Sequence, residues 1–139
     1  MTKDMNSLIG VHHVTAITSD AQKIYDFFTK VLGLHLIKKT VNQDDVHTYH
    51  LYFTDDMGTA GTDMTFFDFP GIQKGRPGTN SISRTTFRVP NDAALEYWAA
   101  RFSESEVAYE DVSVQFGTKM IKFHDFDDQQ YPAIRLNFR

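Results

Sequence analysis

The sequence contains no cysteine. Disulfide frameworks, thiolate zinc sites, iron–sulfur clusters and cysteine nucleophiles are therefore excluded. No apolar run approaches the roughly 18 residues of a membrane span. Residues 1–9 are polar and lack the apolar stretch of a signal peptide. Together these absences predict a cytoplasmic protein with no membrane partner. Positive charge is in the minority: Lys and Arg total 14 against 18 Asp and Glu, a net charge of −4. That argues against nucleic acid as a partner, because phosphate contact needs clustered cations. The basic glycine-rich stretch Lys74-Gly75-Arg76 lacks the strand–loop–helix setting of a phosphate-binding loop. There is no nucleophile elbow and no Ser/His/Asp order. The segment 124–130 (HDFDDQQ) lacks the glycine and distal glutamate of a calcium loop and reads as a solvated turn. No glutamate follows Glu110.

What is present is a chain of 139 residues, 41% hydrophobic. That is one ordinary domain by length. Such a chain buries about two-thirds of its unfolded surface and needs no staple to fold. Aromatic residues are plentiful, with 12 Phe and 6 Tyr, and suit the walls of a core or a pocket.

Residues 12–18 (HHVTAIT) read as a strand. Ser19-Asp20 supplies a helix cap, and Ile24, Phe27, Phe28, Val31 and Leu32 form one apolar helical face. Gly33 suits the left-handed residue that ends the helix. Strands are expected over 34–41, 48–53 and 62–69, with a turn at 55–61. The first module, about 10–70, thus reads βαβββ. Residues 70–80 (PGIQKGRPGTN) form a linker or long loop. The second module, about 81–139, repeats the order. A strand spans 81–89, a helix capped at Asn91-Asp92 presents Leu95, Trp98, Ala99 and Phe102, and strands follow at 107–112, 118–123 and 133–138. The fold class is α+β: two paired βαβββ modules whose sheets surround a half-open cup. Strand residues alternate faces, so every second residue of the flanking strands can point into that cup.

Six histidines are the first candidates for chemistry. His12 and His13 are neighbours in a strand and point to opposite sides. One could ligate a metal while the other shuttles protons, or the pair is partly exposed polar sequence. His47 and His50 stand three apart and are no natural ligand pair in a strand, though His50 can line a pocket. His35 and His124 flank turns and read as solvated. The aromatic pairs Phe66-Phe67 and Tyr49/Tyr52 belong to the core unless the cup exposes them.

The stretches GVHHVTAITSD (10–20), DFFTKVLGLHLIKKTVN (26–42), TYHLYFTDDMGTAGTDMTFFDFPG (48–71) and KGRPG (74–78), with FGTKMIKF (116–123), carry a resemblance. The sequence resembles the vicinal-oxygen-chelate proteins: glyoxalase I, fosfomycin and bleomycin resistance proteins, and extradiol dioxygenases. It is most similar to the N-terminal half of the hydroquinone-type ring-cleaving dioxygenases. The resemblance implies a glyoxalase-like cup and an Fe(II) or Mn(II) centre held by two His and one carboxylate. His13 matches the first-module metal ligand, and His12 a neighbour that shuttles protons or orients substrate. His50, Tyr52 and Phe66 are the expected substrate-binding wall.

In two-module relatives the other ligands come from the last strand of the first module and the first and last strands of the second, places that here hold Phe66, Arg84 and Asn137. Phe cannot ligate and Arg repels a cation, so Asn137 is the second candidate metal ligand, standing where a carboxylate belongs. The ring-cleaving relatives have four modules and keep their other His and their Glu in the last. Three functions are consistent with this pattern. The chain is the N-terminal half or a subunit of a metal-dependent extradiol-type dioxygenase, completed by a C-terminal-half partner chain. Alternatively it is a metal-free binder of a small aromatic or quinone, with no metal in this chain alone. In the third, it serves a structural or regulatory role. A homodimer is expected in any of them.

Overall fold

The computed structural model describes residues 7–135. The first module opens with β1 (His13–Thr18), whose β-branched residues suit a pleated surface. Asp20 caps the next element by accepting the Lys23 N–H at 2.9 Å, and α1 (Ala21–Asp26) follows. The helix then widens into a π-helical segment, Phe27–Val31, closed by a Leu32 N–H to Phe27 carbonyl bond of 3.1 Å. Gly33 ends it with φ of +74°, in the left-handed region as its position requires. Three strands complete the module: β2 (His35–Val41), β3 (Tyr49–Thr54) and β4 (Asp63–Asp68). The sheet order is β1-β4-β3-β2, with β1 and β4 parallel and the other pairs antiparallel.

The second module repeats this as β5 (Phe87–Val89), α2 (Asp92–Glu104), β6 (Ser113–Gln115), β7 (Thr118–His124) and β8 (Gln130–Arg135), in the order β5-β8-β7-β6. Asn91 caps α2 by accepting the Ala94 N–H. The two βαβββ modules and the α+β class follow the sequence reading.

Two strands of the second module differ from it. β5 is three residues long, pairing Phe87, Arg88 and Val89 with Ala133, Ile134 and Arg135, and the residue before Ala133 is Pro132, which has no N–H to extend the ladder. Residues 81–86 run beside it with a single bond, from the Thr85 N–H to the Gln130 carbonyl. The expected strand at 107–112 makes one bridge, Tyr109 to Phe123. The strand proper begins at Ser113, because a two-residue turn at Phe116 and Gly117, both at positive φ, fixes the β6–β7 hairpin.

Both sheets press one face against the helices. Ile24, Phe28, Phe53, Phe66, Leu95, Phe102, Ile121 and Tyr131 are almost wholly buried there. The π-helical segment places its two phenylalanines at the seam of the sheets, where Phe28 touches both, reaching Phe87 and Tyr131 as well. Phe28 stacks against Phe53 and Phe66 of the first, while Phe27 meets Phe123 and Tyr131 of the second. The opposite faces of the sheets are partly open: His13, Thr15 and Ile17 are exposed there, while Thr65 and Met120 are buried.

Candidate functional site

Alternation along the strands decides which side chains reach the open face of the first sheet. On β1, Val14 and Ala16 pack toward the core while His13, Thr15 and Ile17 are exposed. The parallel register sets His13 beside Asp63, Thr15 beside Thr65 and Ile17 beside Phe67. β3 adds His50 next to Phe67 and Tyr52 next to Thr65, and Lys38 of β2 pairs with Tyr52. Imidazoles, hydroxyls, an amine and a carboxylate thus share one surface.

At one end of this surface, His13 and the preceding His12 approach through their Nδ1 atoms at 3.1 Å, with ring planes nearly perpendicular. His12 Nδ1 also lies 3.7 Å from Asp63 Oδ2. The other oxygen of Asp63, Oδ1, is buried without a hydrogen-bond partner, an arrangement that leaves a carboxylate short of a donor or a cation. A cleft of about 650 Å³ opens here between the sheets, with His13 and Asp63 on one wall and Arg84 and Arg88 on the other.

At the centre, four side chains form a continuous hydrogen-bonded line. Thr15 Oγ1 meets Thr65 Oγ1 at 2.7 Å, Thr65 Oγ1 meets His50 Nε2 at 3.0 Å, and His50 Nδ1 meets the Tyr52 hydroxyl at 2.9 Å. His50 is stacked between Tyr52 and Phe67, with centroids 4.2 and 4.1 Å away. Lys38 Nζ lies 5.3 Å from the Tyr52 ring centre. Burial, followed by the nearby charges of His13 and Lys38, lowers the pKa of His50, so the ring favours its neutral form. A second cleft, of about 580 Å³, borders Thr15 and Ile17 and is closed by Ile72 and Lys74 of the linker and by Asp127.

The expected site residues fall into three groups. His12, His13, His50 and Tyr52 are on or beside the open face. Phe66 is not: it has no exposed surface and packs against Phe28 and Phe53 beneath the sheet. Its neighbour Phe67, half-buried, stands on the open face instead. The correction is one residue of register, which turns a strand's faces over. Asn137 lies outside the described residues. Thr15, Asp63, Thr65 and Phe67 were missed by sequence reasoning. Thr15 follows from alternation along β1 outward from His13, whereas Asp63, Thr65 and Phe67 are placed only by the pairing of β4 with β1.

The segment 124–130 also departs from expectation. It is not a solvated turn. Asp125 is buried, accepts the Tyr131 hydroxyl at 2.7 Å and takes the backbone N–H groups of Asp127 and Gln129. Burial raises the pKa of both Asp125 and Tyr131. Asp127 crosses to the first module, where its carboxylate accepts from the Ser19 N–H, the Ser19 hydroxyl and Thr18 Oγ1. His35 is held by Asp56 at 2.6 Å, and His124 lies 3.8 Å from Asp128.

Among the described residues, no group of three His, Asp or Glu side chains is placed to hold a metal ion. His13 and Asp63 are two suitable donors facing one cleft, and a two-His, one-carboxylate centre needs a third. The described residues therefore do not fit a complete catalytic metal site. No helix among them is long and apolar enough to cross a membrane.

Comparison with known proteins bears directly on this geometry. Residues 10–131 match the family model described as the Glyoxalase/Bleomycin resistance protein/Dioxygenase superfamily. The chain is 47% identical over 121 residues to MhqA of Bacillus subtilis (strain 168), provisionally named a ring-cleaving dioxygenase, covering 87% of this chain and 38% of that protein. It is 34% identical over 122 residues to the chlorohydroquinone/hydroquinone 1,2-dioxygenase of Sphingobium indicum, covering 85% of this chain and 37% of that protein. The chain thus spans about two-fifths of the length of these curated relatives.

A crystal structure of a provisionally named dioxygenase from Bacillus subtilis superposes with a TM-score of 0.86 at 37% identity, covering 92% of this chain and 41% of that one. A glyoxalase/bleomycin resistance protein/dioxygenase domain from Frankia sp. EAN1pec superposes with a TM-score of 0.81 over 94% of this chain and all of its own, at 16% identity, which speaks for the fold alone. The chain belongs to the glyoxalase/bleomycin resistance protein/dioxygenase superfamily.

Proposed function

We propose that this chain forms the N-terminal part, or a subunit, of a metal-dependent ring-cleaving dioxygenase that acts on hydroquinone-like aromatic diols. The observation that supports this reading best is the open face of the first sheet. There one exposed imidazole, His13, stands beside Asp63 at the mouth of a cleft, next to an aromatic and hydroxyl wall. The relatives named for ring cleavage are more than twice as long, which leaves room for the missing donors. His13 is assigned as the chain's ligand to a non-haem Fe(II) or Mn(II) centre completed by other residues of the full protein or of a partner chain. When bound, such a metal supplies a shared anchor for the diol and for oxygen. This chain's own part is positioning. Phe67, His50 and Tyr52 offer a flat stack for an aromatic ring, and Thr15 offers a hydroxyl to its oxygen. His12 holds the imidazole of His13 from the side.

The test is native mass spectrometry under anaerobic Fe(II), paired with oxygen uptake on hydroquinone. The chain alone is expected to hold no stoichiometric iron. The chain joined to the completing sequence of a relative should hold one and consume oxygen, and His13→Ala should remove both while leaving the fold intact. Iron bound stoichiometrically to the isolated chain would overturn the shared-site reading, and an iron-free, inactive completed protein would overturn the dioxygenase reading.

The shortage of donors among the described residues favours a second reading, a metal-free binder of small aromatics. It predicts saturable binding of hydroquinone that a chelator leaves unchanged.

A further inference from the structure

The hydrogen-bonded line across the open face has a property that simple burial of polar groups does not demand. Every member, Thr15, Thr65, His50 and Tyr52, can both donate and accept a proton. A hydroxyl–hydroxyl–imidazole–phenol chain is satisfied in either polarity, and the two differ in the tautomer of His50 and in the direction of each hydroxyl O–H. The line begins at Thr15, exposed on the wall of the cleft that the linker closes. It passes through Thr65, which has no exposed surface, and His50, which is half-buried. It ends at the half-buried Tyr52 under the Lys38 amine. A buried middle with open ends is the layout of a conduit.

We propose that Thr15, Thr65, His50 and Tyr52 form a proton relay that carries the proton of a phenolic hydroxyl bound at Thr15 through the sheet face to water at Tyr52. This rests on the aromatic-diol reading for the identity of the proton donor. One passage breaks the phenol O–H bond and makes one on Thr15. Thr15 passes its own proton to Thr65, Thr65 passes its proton to His50 Nε2, and His50 Nδ1 gives its proton to the Tyr52 oxygen. Tyr52 releases its former proton to water. A phenolate remains in the cleft, His50 has exchanged tautomers, and no electrons move.

The groups facing His50 suit this task. His13 on β1 and Lys38 on β2 are cationic or can become so, Asp63 on β4 lies beyond His13, and Tyr52 is its neighbour on β3. Burial first, and then the positive charge nearby, disfavours a second proton on the imidazole, so it hands protons on.

The relay can be tested without any oxygenase activity. The probe is 4-nitrophenol, whose phenolate absorbs visible light, bound to the whole chain and followed after a rapid pH jump. The line offers the bound phenol a path to water, so it sets the rate of ionisation and leaves the equilibrium unchanged. Thr65→Val keeps the side-chain shape but cuts the line, and should slow ionisation of the bound probe at least about tenfold while retaining binding. Thr65→Ser should restore the rate, and His50→Phe should slow it as Thr65→Val does. The proposal is overturned if the probe shows no saturable binding, or if Thr65→Val lets the bound probe ionise as fast as the parent does. Failure of the dioxygenase reading would show as absent oxygen uptake with this rate difference intact, so the two outcomes are separable.

Discussion

Phe66 and Phe67 are adjacent and chemically identical, yet the sheet gives them opposite roles. Phe66 lies wholly within the core against Phe28 and Phe53, whereas Phe67 stacks on His50 at the open face. Phe66→Ala should therefore cost about 3–5 kcal/mol of stability, as buried aromatic truncations do. Phe67→Ala should cost on the order of 1 kcal/mol for its half-buried ring, and should weaken aromatic ligands instead. Denaturant melts together with hydroquinone titrations of both variants check the pair, and equal destabilisation would show that Phe67 too is core. Residue identity alone does not reveal this division. The run TFF at 65–67 has polar and apolar neighbours on both sides, so its alternation can be entered on either phase. Only the pairing with β1, which sets Ile17 beside Phe67, fixes the phase. His13, His50 and Tyr52 were legible because polar aromatic residues inside strands stand out. Asp63 and Thr65 were not, since an Asp or Thr in a strand looks unremarkable until its partner strand is known.

Elements governed by local chemistry were readable, and those governed by pairing were not. α2 has an Asn cap and a periodic apolar stripe, both local signals, and the structure places Leu95 and Phe102 in the core with Trp98 and Ala99 packed beside them. Leu95→Ala should cost about 2–5 kcal/mol in thermal or denaturant unfolding. Stability within about 0.5 kcal/mol of the parent would mean that this helix face is not core. α1 carries the same kinds of signal. Its widening at Phe27–Val31 lacks a local signature; it lies where Phe27 and Phe28 pack into the seam between the two sheets. The shortening of β5 and the late start of β6 have the same origin: their lengths are set by which residues of β8 and β7 are free to pair.

At the scale of the whole molecule, the second module fastens the first module's helix at both ends. Asp127 places a carboxylate on the Ser19 N–H and hydroxyl just before α1. Arg101 of α2 donates to the Lys30 and Val31 carbonyls where the π-helical segment ends. Negative charge at a helix start and positive charge at its end both complement the helix dipole. Between these ties, Phe27 joins Phe123 and Tyr131. The two modules should thus unfold together. Trp98 is the sole tryptophan and reports on the second module, while amide-exchange protection in β3 and β4 reports on the first. In the parent chain the two probes should give one transition. Asp127→Ala leaves the Ser19 and Thr18 donors without their acceptor and should cost about 1–3 kcal/mol. Combined with Arg101→Ala, it should let the first module lose protection at a lower temperature than the Trp98 signal changes. Separate transitions in the parent would mean that the modules are energetically independent and that the Asp127 and Arg101 contacts are surface decoration. A single transition surviving in the double variant would assign the coupling to the aromatic packing of Phe27 and Phe28 against Phe87, Phe123 and Tyr131.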